Sequence, residues 1–141
     1  MPKHLKVTKT MPYIYYNPNP LKKDKIDCVV RAVARLFDTD WDTAYMRLTV
    51  QGFAEKSILA DDSVWGRYLR NNGFKVRPLP DTCPNCYTVK EFANDHPNGY
   101  YLLKCYGHVV AVVNGDYYDS TDSGDEVPIY YYERSADHAP T

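Results

Sequence analysis

Three residue types that together perform acyl transfer stand far apart in this chain. Cys28 lies in DCVVRAVARLFDTDW, while His108 and Asp119 lie in GHVVAVVNGDYYDSTD. A thiol becomes a nucleophile when it is held as thiolate, which the unpaired N–H groups and dipole of a helix's first turn favour. After Asp27, a good N-cap residue, the apolar residues Val29, Val30, Val33, Leu36 and Phe37 recur at helical spacing. That spacing predicts a helix with Cys28 in its first turn. A lone cysteine on an apolar helix also reads as a small buried hydrophobe. A base, and a group to orient it, separates the two readings.

The second run supplies both. Asn114-Gly115 between two apolar stretches predicts a two-residue hairpin turn, pairing Val113 with Asp116 and Val110 with Asp119. Alternation then puts His108, Val110 and Val112 on one face with Tyr117 and Asp119. Asp119 falls diagonally across from His108, within reach of an imidazole hydrogen bond. Asp122 faces the other way and reads as a cap or solvated loop residue. His108 is thus the expected base, and Asp119 the group that fixes its tautomer.

Elements must carry these residues together. Residues 1–26 read as extended, since Pro12, Pro18 and Pro20 forbid a long helix. Residues 27–98 read as mainly helical. A second helix follows the cap Asp40, with Trp41, Ala44, Tyr45 and Leu48 on one stripe. A third follows DDS, carrying Val64, Trp65, Tyr68 and Leu69, and stops at Gly73. Thr88 and Glu91 stand at capping-box spacing before a short helix to about Asp95. Residues 99–134 read as an antiparallel sheet: YYLLKC, HVVAVV, DYYDS and VPIYYYE. The expectation is one α+β domain over 1–141, with the early helices packed on one sheet face. Fourteen tyrosines suit strands with one dry and one wet face.

Composition bounds the function. With 44% apolar and 25% charged residues the chain is ordinary globular protein, and its net charge of −1 gives no sign of a nucleic-acid groove or membrane-seeking surface. The basic run LKKDKID reads as a solvated loop. MPKHLKVTKTMP lacks the apolar core of a signal peptide, and no apolar run has the length of a membrane span, so a cytoplasmic protein is expected. No cofactor is implied. The four cysteines are then expected as thiols, metal ligands or catalysts rather than a disulfide framework. Cys83 and Cys86 form half of a zinc site, with His96 and Cys105 the nearest residues to complete it. A redox pair is a further possibility, and two thiols that tighten a loop are the preferred reading. His4 and His138 read as solvated.

A helix-opening cysteine, a histidine starting a strand and an acid on the next strand together resemble the papain-like cysteine peptidases. DCVVRAVA is similar to the nucleophile helix of short members of that superfamily. Asp119-Ser120 stands where papain has Asn followed by Ser-Trp. The set YYNPNP, DCVVRA, CPNCYT, HPNG and HVVAVVNGDYYDS resembles a family of small proteins of bacteria and their phages, over residues from about 13 to 133. The resemblance implies a papain-like fold, with Cys28 as nucleophile, His108 as general base and then acid, and Asp119 as orienter. It also implies hydrolysis of a peptide, isopeptide or amide bond of a peptide or protein substrate through a thioester. The gap from Cys28 to His108 is shorter than in papain, so the substrate-binding walls must be reduced. Papain-like enzymes carry an oxyanion-binding glutamine just before the cysteine; here KKDKID has none, and Asn17 and Asn19 are the nearest amides. The alternative is a papain-like binding module, for instance a phage protein that blocks a host factor.

Overall fold

The computed structural model describes residues 11–134, so His4 and His138 lie outside the described residues. Cys28–Leu36 forms helix α1, which buries Val29, Val30, Ala32, Val33, Ala34 and Leu36, with Arg31 among them. Burial on nearly every side makes α1 a central helix rather than a surface one. Helix α2 (Trp41–Glu55) contacts α1 and also α3 (Asp62–Asn71). The caps follow the local sequence: Asp40 accepts from Thr43 N at 2.7 Å, and Asp61 from Ser63 N at 2.9 Å. Gly73, with φ 92°, turns the chain out of α3. Thr88 and Glu91 form a reciprocal capping box at α4 (Val89–Asp95), as their spacing predicts.

Among the described residues six strands form one sheet: β1 (Tyr13–Tyr15), β2 (Phe74–Pro78), β3 (Tyr100–Cys105), β4 (His108–Val113), β5 (Asp116–Asp119) and β6 (Tyr130–Arg134). Their order is β1-β5-β4-β3-β6-β2, and the fold class is α+β. The turn at Asn114 (φ 50°) and Gly115 (φ 87°) has the two positive dihedrals of a tight hairpin. It sets the expected register, Val113 opposite Asp116 and Ala111 opposite Tyr118.

Both sheet edges correct the sequence reading. β1 pairs with β5 in parallel, so the sheet is mixed rather than antiparallel. β2, which lies in the 27–98 stretch read as mainly helical, pairs antiparallel with β6. The reasons are physical. β2 buries only Phe74, so it shows no apolar alternation, and its Pro78 is tolerated because the strand is at an edge. β1 is three residues long, and only a partner at the other end of the chain makes it a strand.

Two apolar layers cover the sheet. The helices α1, α2 and α3 pack on the face of Leu102, Val109, Ala111, Val113 and Tyr132. Helix α4 packs on the opposite face, against Leu103, Val110, Val112 and Tyr117. A strand dry on both sides reads as a continuous apolar run, which explains HVVAVV. Its first residue, His108, is half-buried. No helix among the described residues is long and apolar enough to cross a membrane.

The second layer is testable. Phe92 is 0% exposed, and its ring meets Tyr87, Tyr101 and Tyr131. Phe92→Ala should lower the unfolding free energy by about 3–5 kcal/mol in a urea titration. Val76→Thr, at a position 46% exposed on the β2 edge, should stay within about 0.5 kcal/mol. Equal effects would mean that α4 adds no core layer.

Candidate active site

Helix α1 begins against the start of β4. The Asp27 carbonyl accepts the Arg31 N–H at 2.9 Å, which makes Cys28 the first helical residue. The half-buried Cys28 thiol shares one cleft with the His108 side chain and Val109, and both act on its charge. Burial alone pushes the thiol pKa up. The His108 hydrogen bond, the Val109 N–H and the charges of His108 and Arg31 outweigh it, and the pKa falls below its ordinary 9.0. For His108, burial pulls down, but the hydrogen bonds and charges of Asp119 and Cys28 raise it from 6.5 to about 10. Both shifts favour a thiolate facing an imidazolium.

Asp119 sits at the end of β5 and is 1% exposed. His108 Nε2 lies 2.6 Å from its Oδ2, which also accepts from Ser123 Oγ at 2.8 Å. Its Oδ1 accepts from Ser120 N at 2.8 Å and from Arg31 Nη2 at 3.1 Å. Burial raises the Asp119 pKa, but the His108 and Ser123 hydrogen bonds and the charges of His108 and Arg31 bring it below its ordinary value. With Nε2 turned to Asp119, Nδ1 is left to exchange a proton with Cys28. The expected pairing of His108 with Asp119 is therefore present. Asp122 instead accepts from the Tyr117 hydroxyl and from Gly124 N, a loop role as its position suggested.

Asp27 corrects an expectation. It occupies the N-cap position, but its side chain makes no capping bond. The carboxylate turns inward, accepting from Arg31 Nη1 at 2.6 Å, Trp41 Nε1 at 3.0 Å and Asn19 Nδ2 at 3.4 Å. A buried guanidinium four residues on needs a counter-ion more than the first turn needs a cap. Arg31, Trp41 and Ser123 were not singled out in the sequence as site residues. One signal was there: Asp27 and Arg31 stand at i,i+4, the spacing of an ion pair along one helix face.

Asn17 and Asn19, the nearest amides to Cys28 in sequence, lie buried in the preceding loop. Asn17 Nδ2 donates to Lys22 O, Asn17 Oδ1 accepts from Asn19 N, and Asn19 Oδ1 accepts from Leu21 N. Both therefore serve the loop that leads into α1. Cys83 and Cys86 are joined in a disulfide, which corrects the reading of both as free thiols; the CPNC turn brings their Cα atoms to 4.1 Å. Neither sulfur is a free ligand for zinc. His96 stacks on Phe92, and its Nδ1 lies 2.7 Å from Phe92 O. Cys105 is buried, and that burial pushes its thiol up to about 12. Among the described residues no group of His, Cys, Asp and Glu is arranged to hold a metal.

A cleft of about 260 Å³ opens beside Cys28 and His108, walled by Ile26, Val29, Trp65 and Val109. Lys104 and Asp62, 3.8 Å apart, also line it. On the other side of His108, a wider groove of about 690 Å³ runs past Tyr106, Thr121 and Glu126. A thiolate, a proton donor and space for chain on both sides are the requirements for attack on an acyl carbon.

The ion pair has a signature in stability against pH. The Cys28 contribution is present above 9.0 and lost as pH falls through its lowered folded value. The His108 contribution is full below 6.5 and lost as pH rises toward about 10. Between 6.5 and 9.0 the two slopes oppose each other. Cys28→Ser leaves the falling slope alone, so its stability in urea should decline relative to wild type across that window. Parallel profiles would contradict the pair. Comparison with models of protein families, with curated proteins and with solved structures gave no match.

Proposed function

We propose that the protein is a cysteine hydrolase of papain-like architecture, cleaving a peptide, isopeptide or amide bond through a thioester. One observation carries this reading: His108, hydrogen-bonded to Asp119, shares a cleft with Cys28, with the thiol at a helix start and the imidazole at a strand start. In the first step the Cys28 thiolate attacks the carbonyl carbon, and the carbonyl oxygen takes the negative charge. The Cys28 N–H belongs to the first turn of α1, whose N–H groups lack intrahelical acceptors, and serves as an oxyanion donor. Collapse breaks the C–N bond, and His108 gives its Nδ1 proton to the leaving amine. Neutral His108 then takes a proton from water, whose oxygen attacks the thioester. The acid leaves, and thiolate and imidazolium are restored.

The apolar cleft beside Cys28 is smaller than a drug-sized ligand pocket. That suits a strip of chain with one side chain seated, and so a peptide or protein substrate.

Iodoacetamide at pH 6 should modify Cys28 first, with Cys105 protected by burial and its raised pKa. On a library of peptidyl amides, Cys28→Ala should abolish turnover. Asp119→Ala should cost about 10²–10⁴-fold, Asp119→Asn less, and Asp122→Ala little. Fast labelling of Cys28 with no turnover of any ester or amide would instead favour the binding module. First labelling of Cys105 would overturn the nucleophile assignment.

A further inference from the structure

Arg31 is 4% exposed, yet it carries a full charge into the centre of the fold. Its two terminal nitrogens reach different segments: Nη1 meets Asp27 Oδ1 at 2.6 Å, and Nη2 meets Asp119 Oδ1 at 3.1 Å. One carboxylate directly precedes Cys28; the other orients His108. Burying such a triad gains little stability, because desolvation of three charges offsets most of their attraction. Apolar side chains of similar volume would fill the space as well. The geometry says what the charge achieves. By occupying Oδ1, Arg31 and Ser120 N leave Oδ2 as the atom that faces the imidazole.

We propose that Arg31 is a positioning residue: its guanidinium keeps Asp119 an anion aimed at His108, whether or not the imidazole carries a proton. This matters most in the acyl-enzyme. There the thiolate is consumed and His108 is neutral, so Asp119 has lost its imidazolium counter-ion. Among the groups around Asp119, Tyr13, Asp122 and the Cys105 thiol cannot supply that positive charge. Arg31 remains, and an ionised Asp119 holds the ring with Nε2–H toward itself and Nδ1 free to accept a proton from water. Lysine cannot substitute, because one ammonium does not span two carboxylates as the planar fork does. The role rests on the acyl-transfer reading of the same site, but its electrostatic content is measurable without substrate.

The experiment follows the Asp119 carboxyl by carbon NMR in a His108→Gln background, which removes the imidazolium. With Arg31 present, the guanidinium should hold the Asp119 titration lower than in its absence. In Arg31→Met combined with Asp27→Asn, which avoids an orphaned Asp27, its titration should rise by about one pH unit or more. Arg31→Lys, the milder variant, should fall between. An Asp119 titration unchanged by either variant would overturn the proposal. With His108 restored, p-nitrophenyl acetate separates the two chemical steps. Arg31 touches the thiol only through a weak charge effect, so the Arg31→Met, Asp27→Asn protein should lose about tenfold or more in steady-state turnover and much less in its acylation burst. A burst and turnover that fall by the same factor would make Arg31 a merely structural residue. If the wild-type protein gives no ester turnover, the hydrolase reading fails, while the Asp119 titration still decides the role of Arg31.

Discussion

The Asp119 carboxylate is the point on which the structure turns. It is almost completely buried and accepts four hydrogen bonds, from His108, Arg31, Ser120 and Ser123. An ionised carboxylate cannot be taken out of water on those terms unless each oxygen is satisfied and opposite charge lies close. The surrounding fold meets that demand from every side. Strand β4 brings the imidazole, α1 the guanidinium, and the loop after β5 the serine and its own N–H. Strand β1 lies alongside, and Tyr16 N and the Tyr13 hydroxyl bind the Asp119 carbonyl. The parallel edge strand therefore holds the backbone of the residue whose side chain orders the site.

Charge then passes outward along one path. Arg31 joins Asp119 to Asp27, and Asp27 joins Trp41 at the start of α2 and Asn19 in the N-terminal loop. This path fixes where α1 begins, and with it the position of the Cys28 sulfur. The same network that makes the site polar ties α1, α2 and the N-terminal segment to the sheet. A change at any of its members is felt both in packing and in the proton balance of the thiol.

How much of this can be read from residues alone depends on whether the signal is local. Asn114-Gly115 fixes a two-residue turn, and parity then places Asp119 on the face of His108 with no further information. Cys28 at a helix start follows from the spacing of Val29, Val33 and Leu36, and the caps Asp40 and Thr88 from their neighbours. The hidden parts depend on partners distant in sequence. The Tyr13–Tyr15 and Phe74–Pro78 segments become strands only through β5 and β6. Asp27 carries the composition of a cap, but the guanidinium buried beside it wins the carboxylate. Cys83 and Cys86 looked like thiols because the argument from compartment is statistical, whereas the CPNC turn sets their distance directly.

The central claim is that Cys28 and His108 share one proton as thiolate and imidazolium, held by Asp119. Nitrogen NMR of the His108 ring in the unmodified protein tests it most directly. At pH 7 both ring nitrogens should carry protons, and the ring should lose one only as pH approaches about 10. At the same neutral pH, ultraviolet absorbance should show the Cys28 thiolate already present. A neutral imidazole at pH 7, titrating near the ordinary 6.5 with Cys28 still a thiol, would contradict it.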